Sequence, residues 1–242
     1  MAIEKVHIEQ FLELAKQHPV LDVRSPGEYK HAHIPGAHSL PLFTDEERKI
    51  VGTAYKQESR QAAIKIGLDF FGVKMKKMVE EVESLVGSLA GREAGQESGS
   101  DKLADDRESM TGKTANDQRP TNIVLVHCWR GGMRSAGIAW LMDLYGFKVY
   151  TLIGGYKKFR NYVLETFGLP FNFKILGGYT GSGKTELLKT LREKGEQIID
   201  LEAIACHKGS AFGNIGLPEQ PGQEMFENIL ATELRTKMTD GR

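Results

Sequence analysis

Histidine, cysteine, two arginines and two glycines fall together in His127-Cys128-Trp129-Arg130-Gly131-Gly132-Met133-Arg134-Ser135. A thiol is a useful nucleophile only as thiolate, and its ordinary pKa of about 8.5 drops where N–H donors and positive charge surround the sulfur. Gly131 and Gly132 let the backbone curl its N–H groups inward, Arg130 and Arg134 can add charge, and a helix N-terminus is expected just after the loop. The pattern predicts Cys128 as a catalytic nucleophile inside an anion loop made by Trp129, Arg130, Gly131, Gly132, Met133 and Arg134. Such a ring suits a persulfide, a selenosulfide or a bound oxyanion.

A second constellation follows at Gly178-Tyr179-Thr180-Gly181-Ser182-Gly183-Lys184-Thr185, which satisfies the Walker A spacing. Glycines there allow several N–H groups to face a phosphate, Lys184 neutralises charge, and Thr185 can hold a magnesium ion. Gly178, Thr180, Gly181, Ser182, Gly183, Lys184 and Thr185 are therefore the expected phosphate-binding residues. No later apolar run ends in Asp as a Walker B strand would, and Asp200 with Glu202 is the best acidic candidate. A pyrophosphate-bearing substrate fits that pattern without nucleotide hydrolysis.

Both loops need a strand before them and a helix after them. Residues 19–23 and 122–127 are short, apolar and rich in valine, which predicts buried parallel strands, and residues 135–144 read as the helix that follows the cysteine. A further strand is expected at 148–152 and a helix at 154–167, then strands at 171–176 and 197–201 around a helix starting at Lys184. Apolar residues three and four apart predict an amphipathic helix over 73–89. From about 91 to 121 the chain is poor in aliphatic residues and reads as a flexible insertion. The fold class expected is α/β, with a parallel-sheet domain over 1–160 and a second, P-loop domain over 171–242.

Lys plus Arg and Asp plus Glu both number 32, so no global basic field advertises nucleic acid, and RNA contact would require a local patch. Lys157, Lys158 and Arg160 are one candidate patch, His207 and Lys208 another. Two cysteines, Cys128 and Cys206, are too few for a disulfide framework or a zinc site, and no resident metal is expected. Neither a signal peptide nor a membrane-spanning run is seen, so the expected compartment is the cytoplasm.

Around Cys128 the sequence resembles the rhodanese family of sulfurtransferases, and residues 21–29 (Leu-Asp-Val-Arg-Ser-Pro-Gly-Glu-Tyr) and 33–37 (His-Ile-Pro-Gly-Ala) extend the likeness. In that likeness Asp22, Arg24 and Glu28 are structural. Single-domain sulfurtransferases usually place four residues between cysteine and the loop-closing arginine, whereas five separate Cys128 from Arg134. The longer loop resembles dual-specificity phosphatases and arsenate reductases, so length leaves sulfur transfer and phosphate hydrolysis both open, although no general acid lies within it.

With both loops in this order, and with residues 52–57 (Gly-Thr-Ala-Tyr-Lys-Gln), 200–203 (Asp-Leu-Glu-Ala) and 207–213, the chain resembles the tRNA 2-selenouridine synthase family. The resemblance implies a rhodanese-like parallel-sheet domain followed by a partial P-loop NTPase-like α/β domain. It implies a transferase on the wobble 2-thiouridine of tRNA, using geranyl diphosphate and selenophosphate as co-substrates, with no tightly bound cofactor. Cys128 would carry selenium and the phosphate loop would take the diphosphate. A selenophosphate-producing enzyme would be a partner. Family members continue past the point where this chain stops, which implies a C-terminally truncated second domain of 72 residues, 171–242. Its last helix, expected over 222–238, would carry Met225, Phe226, Ile229, Leu230 and Leu234 with little to pack against. A generic sulfurtransferase and an anion-binding remnant without tRNA activity are the alternative readings.

Overall fold

The computed structural model describes residues 3–94, 122–179, 181–209 and 213–239. Most of the expected insertion, 95–121, and the phosphate-loop residue Thr180 lie outside the described residues.

The first half alternates strand and helix. β1 (Ile3–Val6), α1 (Ile8–Leu14), β2 (Val20–Asp22), α2 (Pro26–His31) and β3 (His38–Ser39) lead into three helices, α3 (Asp45–Gln57), α4 (Arg60–Gly72) and α5 (Met75–Ala94). β4 (Ile123–His127), α6 (Met133–Tyr145), β5 (Lys148–Leu152) and α7 (Gly155–Thr166) complete it. The five strands form one all-parallel sheet in the order β1-β5-β4-β2-β3, so the α/β expectation stands.

Parallel strands buried on both faces lack polar alternation. On β4, Val124 and Val126 enter a core with Phe71, Val82, Ile138 and Met142, while Leu125 enters the opposite core with Phe11, Leu152, Phe159 and Val163. Two apolar layers thus clamp the strand that ends at Cys128. Helices α3 and α4 were not anticipated, although the chain carries their caps. Thr44 accepts from Glu47 N at 3.2 Å with Glu47 reaching back to Thr44 N at 2.8 Å, and Ser59 Oγ accepts from Ala62 N at 3.0 Å.

The second half holds α8 (Lys184–Glu193), α9 (Leu201–Ile204) and α10 (Gln223–Thr239). The strands expected at 171–176 and 197–201 are absent. Residues 171–177 form neither helix nor strand and have no partner strand among the described residues, with Phe173 60% and Ile175 92% exposed. Apolar β-branched composition is not enough, because a strand needs neighbours to satisfy its N–H and C=O groups. At 197–201 the chain turns into α9, and the Asp200 carboxylate accepts from Ala203 N at 3.0 Å as a helix cap.

Helix α10 does find a partner. It docks on α7: Ala231 joins the core beside Phe159 and Val163, and Met225 packs against it. Asn228 is 0% exposed, accepting from Arg160 Nη1 at 2.6 Å and donating to His33 O at 2.9 Å and Tyr156 Oη at 2.8 Å. Met225 and Leu234, two of the residues expected to lack partners, are therefore covered, Leu234 at 6% exposure, and the buried Asn228 shares the docking stripe with its amide satisfied.

Candidate functional site

β4 delivers Cys128 to the C-terminal edge of the sheet, and residues 129–132 loop over to the N-terminus of α6. The sulfur is nearly buried, while Trp129, Arg130, Gly131, Gly132 and Met133 are exposed around it. Gly132 N donates to Sγ at 3.3 Å, and Ser135 Oγ lies 3.3 Å from Sγ. Burial pushes the thiol up, but the Ser135 hydroxyl and the N–H groups of Ser135, Gly132 and Arg130 together bring it below its ordinary value. Arg130 thus acts on the sulfur through its backbone N–H, where its side-chain charge was expected.

Arg134 behaves differently from the expectation that it adds charge at the sulfur. Its Nη1 donates to Glu28 Oε2 at 2.8 Å, and the same oxygen accepts from Arg48 Nε at 2.9 Å and Ser25 N at 3.1 Å. Burial pushes Glu28 up, but Arg134, Ser25 and Arg48 hold its carboxyl below the usual range. Glu28 is thus the residue that sets Arg134 at the loop's flank. Nothing in the sequence pointed to this pair, which is separated by 106 positions.

A second support was also missed. Gly154 and Gly155, both at positive φ, turn the chain from β5 into α7 directly behind the loop. Tyr156 N donates to Cys128 O at 2.9 Å and Lys157 N to Trp129 O at 3.0 Å. A Cβ on Gly155 would lie 2.3 Å from Cys128 O and 2.6 Å from Gly131 N, so only glycine permits this approach. The double glycine before a helix was a visible signal, read only as a helix start.

Beneath the loop, Asp22 and Arg24 form a buried pair at 2.6 Å; Arg24 also donates to Ala32 O at 2.7 Å and lies over the Tyr156 ring at 3.8 Å. They are structural, as the rhodanese likeness implied. His127 is fully buried among Phe11 and Tyr156, with Asp22 Oδ2 at 3.7 Å. Burial is the largest influence on it and drives its pKa down to about 4, so the ring is neutral at physiological pH.

The phosphate loop is arranged more openly. Gly181 and Gly183 adopt positive φ, α8 starts at Lys184, and Lys184 Nζ donates to Gly178 O and Tyr179 O, both at 2.9 Å. Ser182 N donates to Tyr179 O at 3.2 Å. Thr185 occupies the first turn of α8. Asp200, engaged as a cap, supplies no Walker B carboxylate, and no described set of three His, Cys, Asp or Glu side chains could hold a metal ion. The candidate RNA contacts also part company. Arg160 is committed to Glu227 at 2.6 Å and to Asn228, leaving Lys157 as the exposed cation of that cluster; His207 Nδ1 accepts from Gly209 N at 3.0 Å.

Residues 7–66 match the rhodanese-like domain and residues 171–242 match the tRNA 2-selenouridine synthase AAA domain. The chain is 36% identical over 240 residues to the tRNA 2-selenouridine synthase of Bdellovibrio bacteriovorus, covering 97% of this chain and 54% of that one. It is 37% identical over 227 residues to the synthase of a Sulfurovum species, covering 92% and 52%. Among solved structures, the N-terminal domain of a putative ATP/GTP binding protein from Clostridium difficile is 32% identical and aligns over 66% of this chain and 99% of its own, with a TM-score of 0.49. The chain spans about half the length of the curated relatives it matches. Over that half, with a match to the rhodanese-like domain followed by a match to the tRNA 2-selenouridine synthase AAA domain, the chain belongs to the tRNA 2-selenouridine synthase family.

Proposed function

We propose that this chain acts as a transferase in the conversion of wobble 2-thiouridine to 2-selenouridine in tRNA, through an S-geranyl intermediate, in the cytoplasm. The observation that carries the reading is the pair of anion cradles on one chain, one built around a depressed thiol and one of Walker type. Its support from relatives is that the similar proteins from Bdellovibrio bacteriovorus and a Sulfurovum species, about twice this length, are tRNA 2-selenouridine synthases.

The chemistry assigns each cradle a task. In the first step the thiocarbonyl sulfur attacks C1 of geranyl diphosphate, a C–S bond forms, and the C–O bond breaks with its electron pair leaving on pyrophosphate. Lys184 and the N–H groups of Gly181, Ser182 and Gly183 receive that polyanionic leaving group, and the S-alkylated base becomes neutral by releasing its N3 proton to solvent. Alkylation turns sulfur into a competent leaving group. In the second step selenium from selenophosphate adds at C2, the C2–S bond breaks, and geranylthiolate departs with the pair and takes up a proton. Water then cleaves the P–Se bond to release phosphate. The Cys128 loop holds the selenium donor for that addition, its N–H groups facing the oxyanion and its thiolate facing selenium. tRNA is the macromolecular substrate, with Lys157 near the loop as a contact to its backbone.

The test is nucleoside mass spectrometry on 2-thiouridine tRNA incubated with the protein, geranyl diphosphate and selenophosphate. The reading expects S-geranyl-2-thiouridine from the wild type and Cys128→Ala but not from Lys184→Ala, and selenouridine from the wild type alone. Thiosulfate:cyanide sulfur transfer with no modified nucleoside in any sample would replace it by a generic sulfurtransferase.

A further inference from the structure

Helices α3, α4 and α6 enclose a cavity of about 770 Å³ that reaches the Cys128 loop at Met133 and Arg134. That volume is in the range of about 300–1,000 Å³ usual for small-molecule sites. Val51, Ile64, Leu68, Phe71 and Trp140 form its wall. Gly67 and Gly137 lie where side chains would narrow it. Several of these apolar groups remain turned to open space, Leu68 at 56% and Trp140 at 46% exposure.

The mouth has the opposite character. Arg48, Lys49, Lys56 and Arg134 stand around it, against the single carboxylate of Glu28 that Arg48 and Arg134 share. An apolar wall beneath a cationic mouth selects an amphiphile, an apolar chain ending in an anionic or nucleotide-borne head. An oxyanion or a bare nucleoside would leave the wall uncovered.

We propose that this cavity holds the isoprenoid chain of the prenylated substrate, with the head of the chain directed at Arg134 and the Cys128 loop. The assignment rests on the prenyl-transfer reading given above. It gives the rhodanese-like domain a task that its sulfur chemistry does not require: gripping the tail so that the carbon bearing sulfur faces the selenium donor. On the other side of the Glu28 bridge a smaller cavity of about 360 Å³, bordered by Arg24, Arg48 and Trp129 together with the carboxylates of Glu28, Asp45 and Glu224, leaves room for the nucleoside part of the head.

Calorimetry with the purified chain and inorganic pyrophosphate, dimethylallyl diphosphate and geranyl diphosphate tests the cavity directly. Each buried methylene strengthens binding about fourfold, so geranyl diphosphate is expected to bind at least about tenfold more tightly than dimethylallyl diphosphate. Gly137→Leu fills the wall, with Phe71 Cε1 at 3.9 Å as the nearest atom to the new Cβ, and Ile64→Glu sets a carboxylate in it. Both should reduce the chain-length ratio to less than about twofold; pyrophosphate, which has no chain, is the reference. An unchanged ratio in both variants, or no ratio in the wild type, overturns the assignment. The two readings fail separately. Equal S-geranylation of tRNA by the wild type and both variants removes the cavity and keeps prenyl transfer. A ratio that collapses in the variants, with no geranylated nucleoside from any protein, keeps the cavity and removes prenyl transfer.

Discussion

Two anion cradles of the same chain are built to different standards. The loop after Cys128 is fixed from three sides: β4 beneath it is clamped between two cores, Gly155 presses its backbone against Cys128 O and Gly131 N, and Glu28 holds Arg134. The loop at 178–185 follows an unpaired, exposed segment, and its lysine is satisfied by two carbonyls of the loop itself. The first cradle is imposed by tertiary structure; the second is local. A phosphate loop gains its rigidity from the strand that precedes it, and here residues 171–177 have no strand beside them among the described residues.

The largest effect expected from that contrast is in hydrogen exchange. Amides of Val124, Leu125 and Val126 should exchange only by global unfolding, whereas those of Lys174, Ile175 and Leu176 should exchange at least about a thousandfold faster. Comparable protection of the two segments by mass-spectrometric exchange would erase the distinction. Addition of pyrophosphate sharpens it: protection should rise at 178–185 and stay constant on β4.

Glycine substitutions probe the same contrast from within the loops. Gly155→Ala forces a Cβ into backbone atoms at 2.3 Å and 2.6 Å in a positive-φ position, and should cost about 3–5 kcal/mol with loss of Cys128 reactivity. Gly183→Ala is also at positive φ, +81°, but meets no atom within 4 Å. Its cost should be about 1–2 kcal/mol from backbone strain alone. Urea denaturation of the two variants checks the difference, and equal costs would mean that the cysteine loop is not gripped from behind.

How these features read in the sequence follows from how local they are. His127 to Ser135 was legible because strand end, thiol, glycines and helix start are contiguous. The buried strands at 122–127 and 148–152 were legible because neither face is polar. Gly155 and Glu28 were not, since their contacts to the loop depend on how β5 and α2 are placed in the sheet. The strands expected at 171–176 and 197–201 had the right composition but lacked neighbours, and Asp200 was free to cap a helix instead. The apolar cavity escaped notice because Ile64, Leu68 and Trp140 sit at ordinary helical spacings and only packing reveals which of them stay uncovered.

A pH titration of stability separates the halves further. Neutral His127 is buried in the fold, with its pKa lowered from 6.5 to about 4, so the unfolded chain binds the extra proton across that window. Stability is fully present above the unfolded value and is lost as pH falls from 6.5 toward 4, by about 3 kcal/mol in total. Asp22, held below its ordinary value despite burial, gives up its own contribution only at lower pH. Urea midpoints at pH 7, 5.5 and 4.5 should therefore fall for the rhodanese-like half, followed by its tryptophans Trp129 and Trp140. His127→Leu should flatten the slope; a slope that persists in that variant would assign it to other groups.

The smallest effect is the most specific to the sulfur. Ser135→Ala removes the Oγ 3.3 Å from Cys128 Sγ while leaving the N–H donors of Arg130, Gly132 and Ser135 in place. With burial still pushing the thiol up, loss of the hydroxyl should raise its pKa. Less thiolate is then present at neutral pH, while the remaining thiolate is intrinsically more nucleophilic; because the Brønsted slope is only about 0.4–0.5, the loss of thiolate dominates. Iodoacetamide should alkylate Cys128 about threefold to tenfold more slowly at neutral pH, and the order should reverse above the thiol pKa of both proteins, where only the intrinsic nucleophilicity of the thiolate still differs. Lys184→Ala, in the locally built cradle, should leave that profile unmoved. A matching slowdown in Lys184→Ala would mean that the two cradles are coupled in solution rather than independent.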